Sequence, residues 1–440
     1  MNIAVLGGHY LKNYRGEHTV WLHDLPLSIN IHEDNSIGAL LARGCPFTPD
    51  ILLFGDQSCF PMVTGLEDLD IPTVAYLIDT HLHYPWHRYF AGMFDHVFVA
   101  QHDCAVSLGA YNPACEWLPL FSRMGDIRYA TTKIYDITFV GTVNPARNAA
   151  RVEFLNKFAA KMPLHVFSGE YVEHYNASNI ILNQSVSNDI NFRVFEALAS
   201  GSLLLTDNVD NGFDRLFEDG RHLVVYRKGD VDDAVEKARY YLANAAEREK
   251  IAEEGHRLVV GSHTLDIRIQ QILAKMTAIS SRYTCEPGRK NGKKCAAGRT
   301  FLAIAKGLYR LEALHGTGQH GRQAVWFLGV AHDALMTSLQ SGMADEGIIR
   351  NLALLYFLER KMDQAALHVK MALLSNPDDV EMNLLAAEIE HDRGDRARSR
   401  IFFTLARELL QQMVRNPVNS LDIDDLADSL FQCGRRLSLL

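Results

Sequence analysis

Residues 187–207 have the sequence SNDINFRVFEALASGSLLLTD, which predicts a helix over Asn191–Ser200 and a buried strand over Leu203–Thr206. Gly201 lies where the helix should end, because glycine adopts the left-handed conformation that commonly closes helices. A further apolar run, Asn179–Leu182, comes before the helix. Short apolar strands on either side of a helix are typical of a parallel α/β sheet.

The same alternation continues in both directions and predicts two α/β domains. Further strands and helices are expected at Asp136–Val140, Pro145–Met162, Leu164–Phe167, His222–Tyr226, Asp230–Asn244 and Ala246–Val260. A separate set of strands is expected at Ile3–Leu6, Ile51–Phe54, Thr73–Ile78 and His96–Ala100. We therefore predict an α/β protein with two Rossmann-like domains, residues 1–130 and residues 131–280, which face each other across a cleft.

Residues 281–299 differ in composition, since they are rich in Lys and Arg and contain Pro287, Gly288 and Gly292. Proline and glycine interrupt helices, so this stretch predicts a solvated basic linker. Cys285 and Cys295 lie within it and would be able to pair or bind a metal, although reduced thiols are the simpler interpretation.

Residues 300–440 are expected to be entirely helical. The tetratricopeptide pattern W-x2-L-G-x2-Y…A-x3-F…P is matched by Ile349, Leu352, Ala353, Tyr356, Ala365, Val369 and Pro377. Small residues at 353 and 365 would let two helices approach closely. The sequence predicts a tetratricopeptide-like domain that holds a protein partner, with an unrelated helical bundle as the alternative.

Composition excludes several classes of protein. The 440 residues are 48% hydrophobic and carry a net charge of −9, which indicates a globular protein that binds neither nucleic acid nor an anionic membrane surface. The N-terminus lacks the cationic region of a signal peptide, and no apolar run reaches the ~18 residues of a transmembrane helix. We expect a cytoplasmic protein without a transmembrane segment.

The helix of the opening stretch carries Arg193 and Glu196 on one face. Asn188 or Asp189 is expected to cap its N-terminus, where free N–H groups and the helix dipole favour an anion. A diphosphate near that end would pair with Arg193, and Glu196 would accept hydrogen bonds from vicinal hydroxyls. The alternative is an exposed Arg–Glu pair of purely structural role, worth ~0.2–0.5 kcal/mol.

A set of ordered motifs carries a family resemblance over about 130 residues. The motifs are Phe139-Val140-Gly141, Arg147, Arg193-Val194-Phe195-Glu196-Ala197-Leu198-Ala199-x-Gly201, Leu205-Thr206-Asp207 and Leu216-Phe217-x-x-Gly220. This part of the chain resembles the C-terminal lobe of spore-maturation-type glycosyltransferases, relatives of the group 1 sugar transferases with the two-lobed GT-B fold.

The resemblance implies a role for each matching residue. Glu196 would bind the ribose hydroxyls of a nucleotide-sugar donor, and Arg193 and Arg147 would meet its diphosphate. Gly141 and Thr142 would let the donor approach the backbone.

One position departs from the family. Many group 1 enzymes have a second glutamate eight residues earlier, where this chain has Asn188, followed by Asp189. The contact with the sugar, and therefore the stereochemical outcome, is not implied by the resemblance.

Two residues of the first domain are candidates for a catalytic base. Asp79 follows one predicted strand and His102 follows the next, at the sheet edge where ligands bind. An inverting transfer needs a base for the acceptor hydroxyl, and either side chain would serve. Arginines and helix N–H groups can stabilise a leaving diphosphate by themselves, so we expect no cofactor and no metal.

Two functions from different classes remain open. The first is a metal-independent transferase that moves a sugar from a nucleotide sugar to an acceptor hydroxyl on a glycan or a protein. The second is a non-catalytic adaptor, in which an inactive transferase lobe carries helical repeats that bind a protein. Arg193 and Glu196 favour the first, and Asn188 in place of a glutamate leaves room for the second.

Overall fold

The computed structural model describes residues 1–30, 33–185, 187–284, 287–316, 318–341, 346–415 and 420–438. Within these ranges the side chains of Arg147 and of several residues at helix ends are not described. In the described part of the chain, no helix is both long enough and apolar enough to span a bilayer.

The first lobe is built on a parallel sheet in the order β2-β1-β3-β4-β5-β6. Its strands are β1 (Asn2–Gly7), β2 (Thr19–His23), β3 (Ile51–Gly55), β4 (Thr73–Leu77), β5 (His96–Val99) and β6 (Cys115–Trp117). Its helices are α1 (Ile37–Gly44), α2 (Thr80–Phe90) and α3 (His102–Leu108). The four predicted strands are all present, and β3 and β4 are buried along their whole length, as strands covered on both faces should be.

The second lobe has a parallel sheet in the order β11-β10-β9-β7-β8. Its strands are β7 (Tyr135–Val140), β8 (His165–Phe167), β9 (Ser178–Leu182), β10 (Leu203–Asp207) and β11 (Val224–Tyr226). The helices that follow are α4 (Pro145–Ala159), α5 (Val172–Asn176), α6 (Phe192–Ala199), α7 (Val231–Ala243), α8 (Ala245–Ser262) and α9 (Leu265–Ser280). The sequence therefore predicted two Rossmann-like lobes correctly.

A shared core and one buried arginine hold the lobes together. Tyr76 and Phe121 belong to the same hydrophobic cluster as Ile181 and Phe195 of the second lobe. On α9, the Arg268 guanidinium donates hydrogen bonds to the carbonyl oxygens of residues 119 (2.7 Å) and 120 (3.2 Å) in the connection that leaves the first sheet. Helix α9 thereby returns the chain to the first lobe.

The expected solvated linker over residues 281–299 is wrong for residues 287–299, which begin the long helix α10 (Pro287–His315). Its basic side chains pair with carboxylates of the first lobe in three ion pairs, Lys290–Asp70 (2.5 Å), Lys293–Asp95 (2.9 Å) and Lys294–Asp68 (3.2 Å). These distant acids neutralise the positive charge, so the stretch can lie against protein instead of water. Cys295 is buried, and Cys285 lies outside the described residues.

The C-terminal region is helical, as predicted. After α10 come α11 (Gln319–Gln340), α12 (Glu346–Leu358), α13 (Met362–Ser375), α14 (Val380–Asp392), α15 (Arg396–Arg415) and α16 (Ser420–Leu437). Consecutive helices pack as the pairs α10–α11, α12–α13 and α14–α15. Ala353, Ala365 and Val369 are buried between helices, where the repeat pattern expects small or apolar residues. The tetratricopeptide-like nature of these pairs stays a prediction.

This region shares its core with the first lobe. Phe54 and Phe90 lie in one hydrophobic cluster with Phe301, Phe327 and Ile348. The helical region is therefore attached to the first lobe by a buried interface and not only by a connecting segment.

Candidate functional site

A cleft with a volume of about 660 Å³ lies between the two lobes, at the carboxyl ends of β4 and β7. Parallel α/β sheets bind ligands at this edge. The residues that surround the cleft include Asp79, His81, Leu82, Arg123, Val140, Gly141, Thr142, Arg151, Tyr171, Asp189, Asn191, Phe192, Arg193 and Glu196. The cleft thus collects most of the residues that the sequence singled out.

Glu196, on α6, is almost buried in the wall of the cleft and pairs with an arginine that the sequence did not single out. The Glu196 carboxylate accepts a hydrogen bond from Arg123 Nε, 2.6 Å from its Oε1. Arg123 comes from the connection between the lobes, and its guanidinium lies over the Phe192 ring, 5.0 Å from the centroid. An ionised carboxylate has about four acceptor positions, so Glu196 can still accept from hydroxyls of a ligand.

Arg193 is held by backbone and side-chain oxygens of the second lobe. Its Nε donates to the Val140 carbonyl (2.8 Å) and its Nη1 to Asn183 Oδ1 (2.6 Å). The structural alternative of an exposed Arg193–Glu196 pair is therefore wrong, because each of the two residues has its own partner elsewhere.

The position of the Arg193 guanidinium requires a residue without a side chain at position 141. A Cβ atom at position 141 would lie 2.3 Å from Arg193 Nη2, far closer than any van der Waals contact. The absence of a side chain at Gly141 thus leaves room for the guanidinium. The predicted approach of a donor to the Gly141 and Thr142 backbone stays a prediction, although both residues line the cleft.

Arg151, on α4, is a further arginine of the cleft and is buried. The sequence patterns did not indicate it. Its guanidinium donates to Gln184, with 2.9 Å from Nη2 to the carbonyl oxygen. Arg151 and Arg193 both lie over the ring of Phe139, with 5.7 and 4.6 Å from the guanidinium carbons to the centroid. Burial, and then the charge of Arg193, lower the pKa of Arg151 to about 10. The charge of a bound anion would offset both effects.

Arg147, the residue predicted beside Arg193, has a side chain outside the described residues. It stands four positions before Arg151 on the same helix. The backbone between them is non-helical at Asn148, so the spacing of four residues did not indicate Arg151.

The predicted cap of α6 is wrong, since the residue at the N-cap position is Asn191 and not Asn188 or Asp189. Asn188 adopts a left-handed conformation with φ of 57°, and its side chain accepts from the backbone of residue 210 (3.4 Å). Asp189 lines the cleft. The buried Asn191 Oδ1 has no hydrogen-bond partner among the described residues, and Asn191 makes no side-chain cap bond to α6. The helix therefore presents a positive dipole end at the cleft.

Asp79 lies in the cleft, and Asp56 fixes its backbone. The buried Asp56 carboxylate accepts from the backbone N–H groups of residues 78 (3.0 Å) and 79 (3.1 Å) through Oδ2. His102 is placed differently, since it does not line the cleft and its ring meets the Trp117 ring edge-on, with 5.0 Å between centroids. The structure therefore brings Asp79, but not His102, together with Gly141 and Glu196.

A buried polar contact between the lobes positions the loop before α6. Gln101, at the end of β5, accepts from the backbone N–H of Ile190 (3.1 Å) and donates to its carbonyl (3.3 Å). Asn211 completes the contact by donating to Gln101 Oε1 (2.5 Å). Sequence patterns did not indicate this role, because the partners are about 90 and 110 residues apart.

Comparison with known families bears on the second lobe. Residues 130–274 match the family model described as glycosyl transferase-like. The match covers the second sheet, α4 to α8 and part of α9. It confirms the resemblance of this lobe to glycosyltransferases, whereas the spore-maturation type stays a prediction. No protein of curated function matches the chain.

Several solved structures are similar to about two thirds of the chain. The Anabaena protein Alr3699/HepE in complex with UDP and glucose is 12% identical, covers 63% of this chain and 100% of its own, and has a TM-score of 0.47. A glycosyltransferase from Rickettsia africae is 11% identical, covering 64% and 99%, with a TM-score of 0.47. Sucrose-phosphate synthase from Thermosynechococcus elongatus is 10% identical, covering 64% and 99%, with a TM-score of 0.45.

Proposed function

We propose that the protein is a glycosyltransferase that moves a sugar from a nucleoside diphosphate sugar to an acceptor hydroxyl. The observation that carries this proposal is the pair formed by the buried Arg151 and the half-buried Arg193, which line the cleft between the lobes together with Glu196. The charge of Arg193 disfavours the charge of the buried Arg151, and a diphosphate would neutralise both arginines. The family match of residues 130–274 supports the same function.

Each group in the cleft has a role in the transfer. The acceptor oxygen forms a bond to the anomeric carbon, and the bond from that carbon to the diphosphate oxygen breaks. Negative charge develops on the leaving diphosphate, where Arg151, Arg193 and the N–H groups of α6 stabilise it. Glu196 accepts hydrogen bonds from the ribose. In an inverting transfer, the Asp79 carboxylate takes the proton of the acceptor hydroxyl.

The positive charge of the arginines stabilises the leaving diphosphate, which a metal ion can do in other transferases. We therefore expect full activity in the presence of EDTA. Loss of activity in EDTA with recovery in magnesium or manganese would contradict this assignment of the diphosphate site. The helix pairs of the C-terminal region, with the tetratricopeptide-like pattern, are proposed to hold a protein partner.

Calorimetric titration with UDP, GDP, ADP and TDP tests the donor site, followed by an assay for slow hydrolysis of the matching nucleotide sugars. We expect one diphosphate to bind more tightly than its nucleoside, and its sugar conjugate to be hydrolysed. Binding without hydrolysis or transfer would favour the adaptor alternative. Absence of binding by all four diphosphates would refute the proposed function.

A further inference from the structure

An apolar groove with a volume of about 640 Å³ lies on the helical region and is lined by residues of α13, α14 and α15. Leu367 and Leu374 line it from α13, and Ile401 lines it from α15. Its floor is apolar and almost completely buried, and it consists of Val369, Ala386 and Ile389. We call this surface the α13–α15 groove.

The apolar side chains along the rim of the α13–α15 groove are exposed to solvent. The exposed fractions are 56% for Leu367, 75% for Leu374 and 65% for Ile401. Leu367 and Leu374 are seven residues apart and therefore lie on one face of α13. In the described part of the chain no segment covers these side chains. An exposed apolar surface of this kind marks a site of interaction.

The α13–α15 groove is long. A second open depression of about 870 Å³ shares Ile401 with it and continues along α15 past Leu405 to Glu408. From Arg396 to Glu408 the helix rises about 18 Å at ~1.5 Å per residue. This length suits a partner of about three helical turns better than a compact small molecule.

The backbone of the groove favours a helical partner over an extended one. The apolar lining residues lie within α13, α14 and α15, whose N–H and C=O groups already bond each other along each helix. An extended peptide would find no row of unpaired backbone groups there, whereas a helix satisfies its own backbone. The occupant that fits is an amphipathic helix with apolar residues at every third or fourth position.

Two arginines at the groove already pair with carboxylates of the same region. Arg393 pairs with Asp363 (2.9 Å) and with Glu390 (3.6 Å). Arg398 pairs with Asp395 (3.6 Å). These groups almost balance one another, with one net negative charge among them.

The other charges beside the groove are mainly positive. Lys370 on α13 and Arg396 and Arg400 on α15 are exposed and have no ion-pair partner among the described residues. Glu408 is the acidic lining residue without such a partner in the same part of the chain. The unpaired groups outweigh the paired ones, so the groove is positive on both sides, in a chain with a net charge of −9. A helix lying between α13 and α15 is therefore held best when acidic side chains flank its apolar face.

We propose that the α13–α15 groove binds an amphipathic helix of a protein partner, with acidic side chains on both sides of its apolar face. The inference rests on the proposed role of the helical region in holding a protein, and it does not depend on sugar transfer. A second copy of the chain fits less well, because a two-fold contact would bring Lys370, Arg396 and Arg400 of both copies together.

The test is calorimetric titration of the full chain with synthetic amphipathic peptides of about four helical turns. The first peptide has leucines on one face and glutamates on both flanks. In the second peptide lysines replace the glutamates, and in the third alanines replace the leucines. Vesicles of phosphatidylcholine and phosphatidylglycerol, and the dependence of the molar mass on protein concentration, test the two other occupants.

Two variants probe the α13–α15 groove. Ile401→Glu places a carboxylate on its apolar wall, and Arg400→Glu reverses one flanking charge. The matched controls are Leu314→Glu, at an exposed site on α10, and Arg282→Glu, at an exposed site just after α9. Neither control residue lines the groove.

We expect the glutamate peptide to bind the wild-type protein at least about tenfold more tightly than either of the other peptides. Ile401→Glu should weaken this binding at least about tenfold, and Arg400→Glu about threefold to tenfold. Both controls should bind the peptide like the wild type. All four variants should keep the wild-type affinity for the nucleoside diphosphate that binds best.

A wild-type protein that does not bind the glutamate peptide, or binds it no more tightly than the lysine peptide, would overturn the inference and leave the donor site untouched. Binding of the vesicles without the peptide would make the groove a membrane surface and would also overturn it. The same holds for a dimer that Ile401→Glu dissociates while no peptide binds. Failure of all four diphosphates to bind would instead contradict the donor site, and the peptide titration would still decide the present inference.

Discussion

Arg123 and Glu196 join the connection between the lobes to the helix of the donor cleft, with 2.6 Å from Arg123 Nε to Glu196 Oε1. The arginine side chain is half exposed, whereas the glutamate is nearly buried. This pair fixes the orientation of the carboxylate, whose remaining acceptor positions are available to a ligand in the cleft. Arg123 is in this account a positioning residue for Glu196.

Replacing Arg123 tests that role. Arg123→Met should weaken binding of UDP, or of whichever of the other three diphosphates binds more tightly, by about threefold to tenfold, since a charge-assisted hydrogen bond that orients the carboxylate is lost. In a Glu196→Gln background the same change should have little further effect, because residues that act through one another are not additive. Tighter UDP binding by Arg123→Met would show that the arginine obstructs the site.

A substitution at Gly141 tests whether the Arg193 guanidinium belongs to the diphosphate site. Gly141→Ala brings a methyl group against Arg193 Nη2 and should push the guanidinium away from the Val140 carbonyl. We expect UDP binding at least about fivefold weaker, which corresponds to ~1 kcal/mol. Gly261→Ala on α8, where a Cβ meets nothing within 4 Å, is the control and should bind UDP normally. Normal binding by both variants would remove Arg193 from the diphosphate site.

We expect Arg151 to contribute to the binding of the phosphate groups and not to the binding of the nucleoside. Arg151→Gln is expected to weaken UDP binding at least about tenfold and uridine binding hardly at all, because a charge-assisted contact to phosphate is worth more than ~1.4 kcal/mol. Arg248→Gln replaces another largely buried arginine that bonds backbone carbonyls, far from the cleft, and serves as control. Equal loss for UDP and uridine would mean that Arg151 supports the fold only.

The raised pKa of Glu67 predicts how the free energy of unfolding depends on pH. Burial raises the pKa of this carboxyl from 4.5 to about 7, so the folded protein holds a proton that the unfolded chain releases. The free energy of unfolding should therefore fall as pH rises from 4.5 to 7. Glu67→Gln should be as stable as the wild type at pH 5 and more stable at pH 8, by roughly 1–3 kcal/mol.

Thermal melting of both proteins at the two pH values measures this difference. Glu153→Gln, at an exposed site, should leave the pH profile unchanged between pH 5 and 8. A Glu67→Gln profile parallel to that of the wild type would show that Glu67 is ionised in the folded protein.

The central strands of both sheets were predictable because they are continuous apolar runs, buried on both faces. Two edge strands, Thr19–His23 and Cys115–Trp117, escaped prediction, since they are partly exposed and give no such run. The site was predictable where one helix carries it, as with Arg193 and Glu196. Arg123 and Gln101 act through partners 73 to 110 residues away, and a local pattern does not contain that information.

The lack of information about distant partners also explains the two wrong predictions, the solvated linker and the place of His102 in the site. Residues 287–299 resemble a solvated linker by composition, but in the folded protein their lysines pair with Asp68, Asp70 and Asp95 of the first lobe, and Cys295 and Ala297 are buried. His102 follows a strand at the correct sheet edge, but it is the first residue of α3 and its ring packs against Trp117.

Calorimetric titration of Glu196→Gln with UDP, or with whichever of GDP, ADP and TDP binds the wild type more tightly, tests the central claim most directly. Glu253→Gln, which alters another Arg–Glu pair at the surface, is the control. Hydrogen bonds from ribose hydroxyls to a carboxylate are worth ~1.5–3 kcal/mol each, so Glu196→Gln should bind UDP at least about tenfold more weakly. Its melting temperature without ligand should stay close to that of the wild type, and Glu253→Gln should bind UDP normally. Unchanged UDP affinity in a folded Glu196→Gln protein would contradict the account.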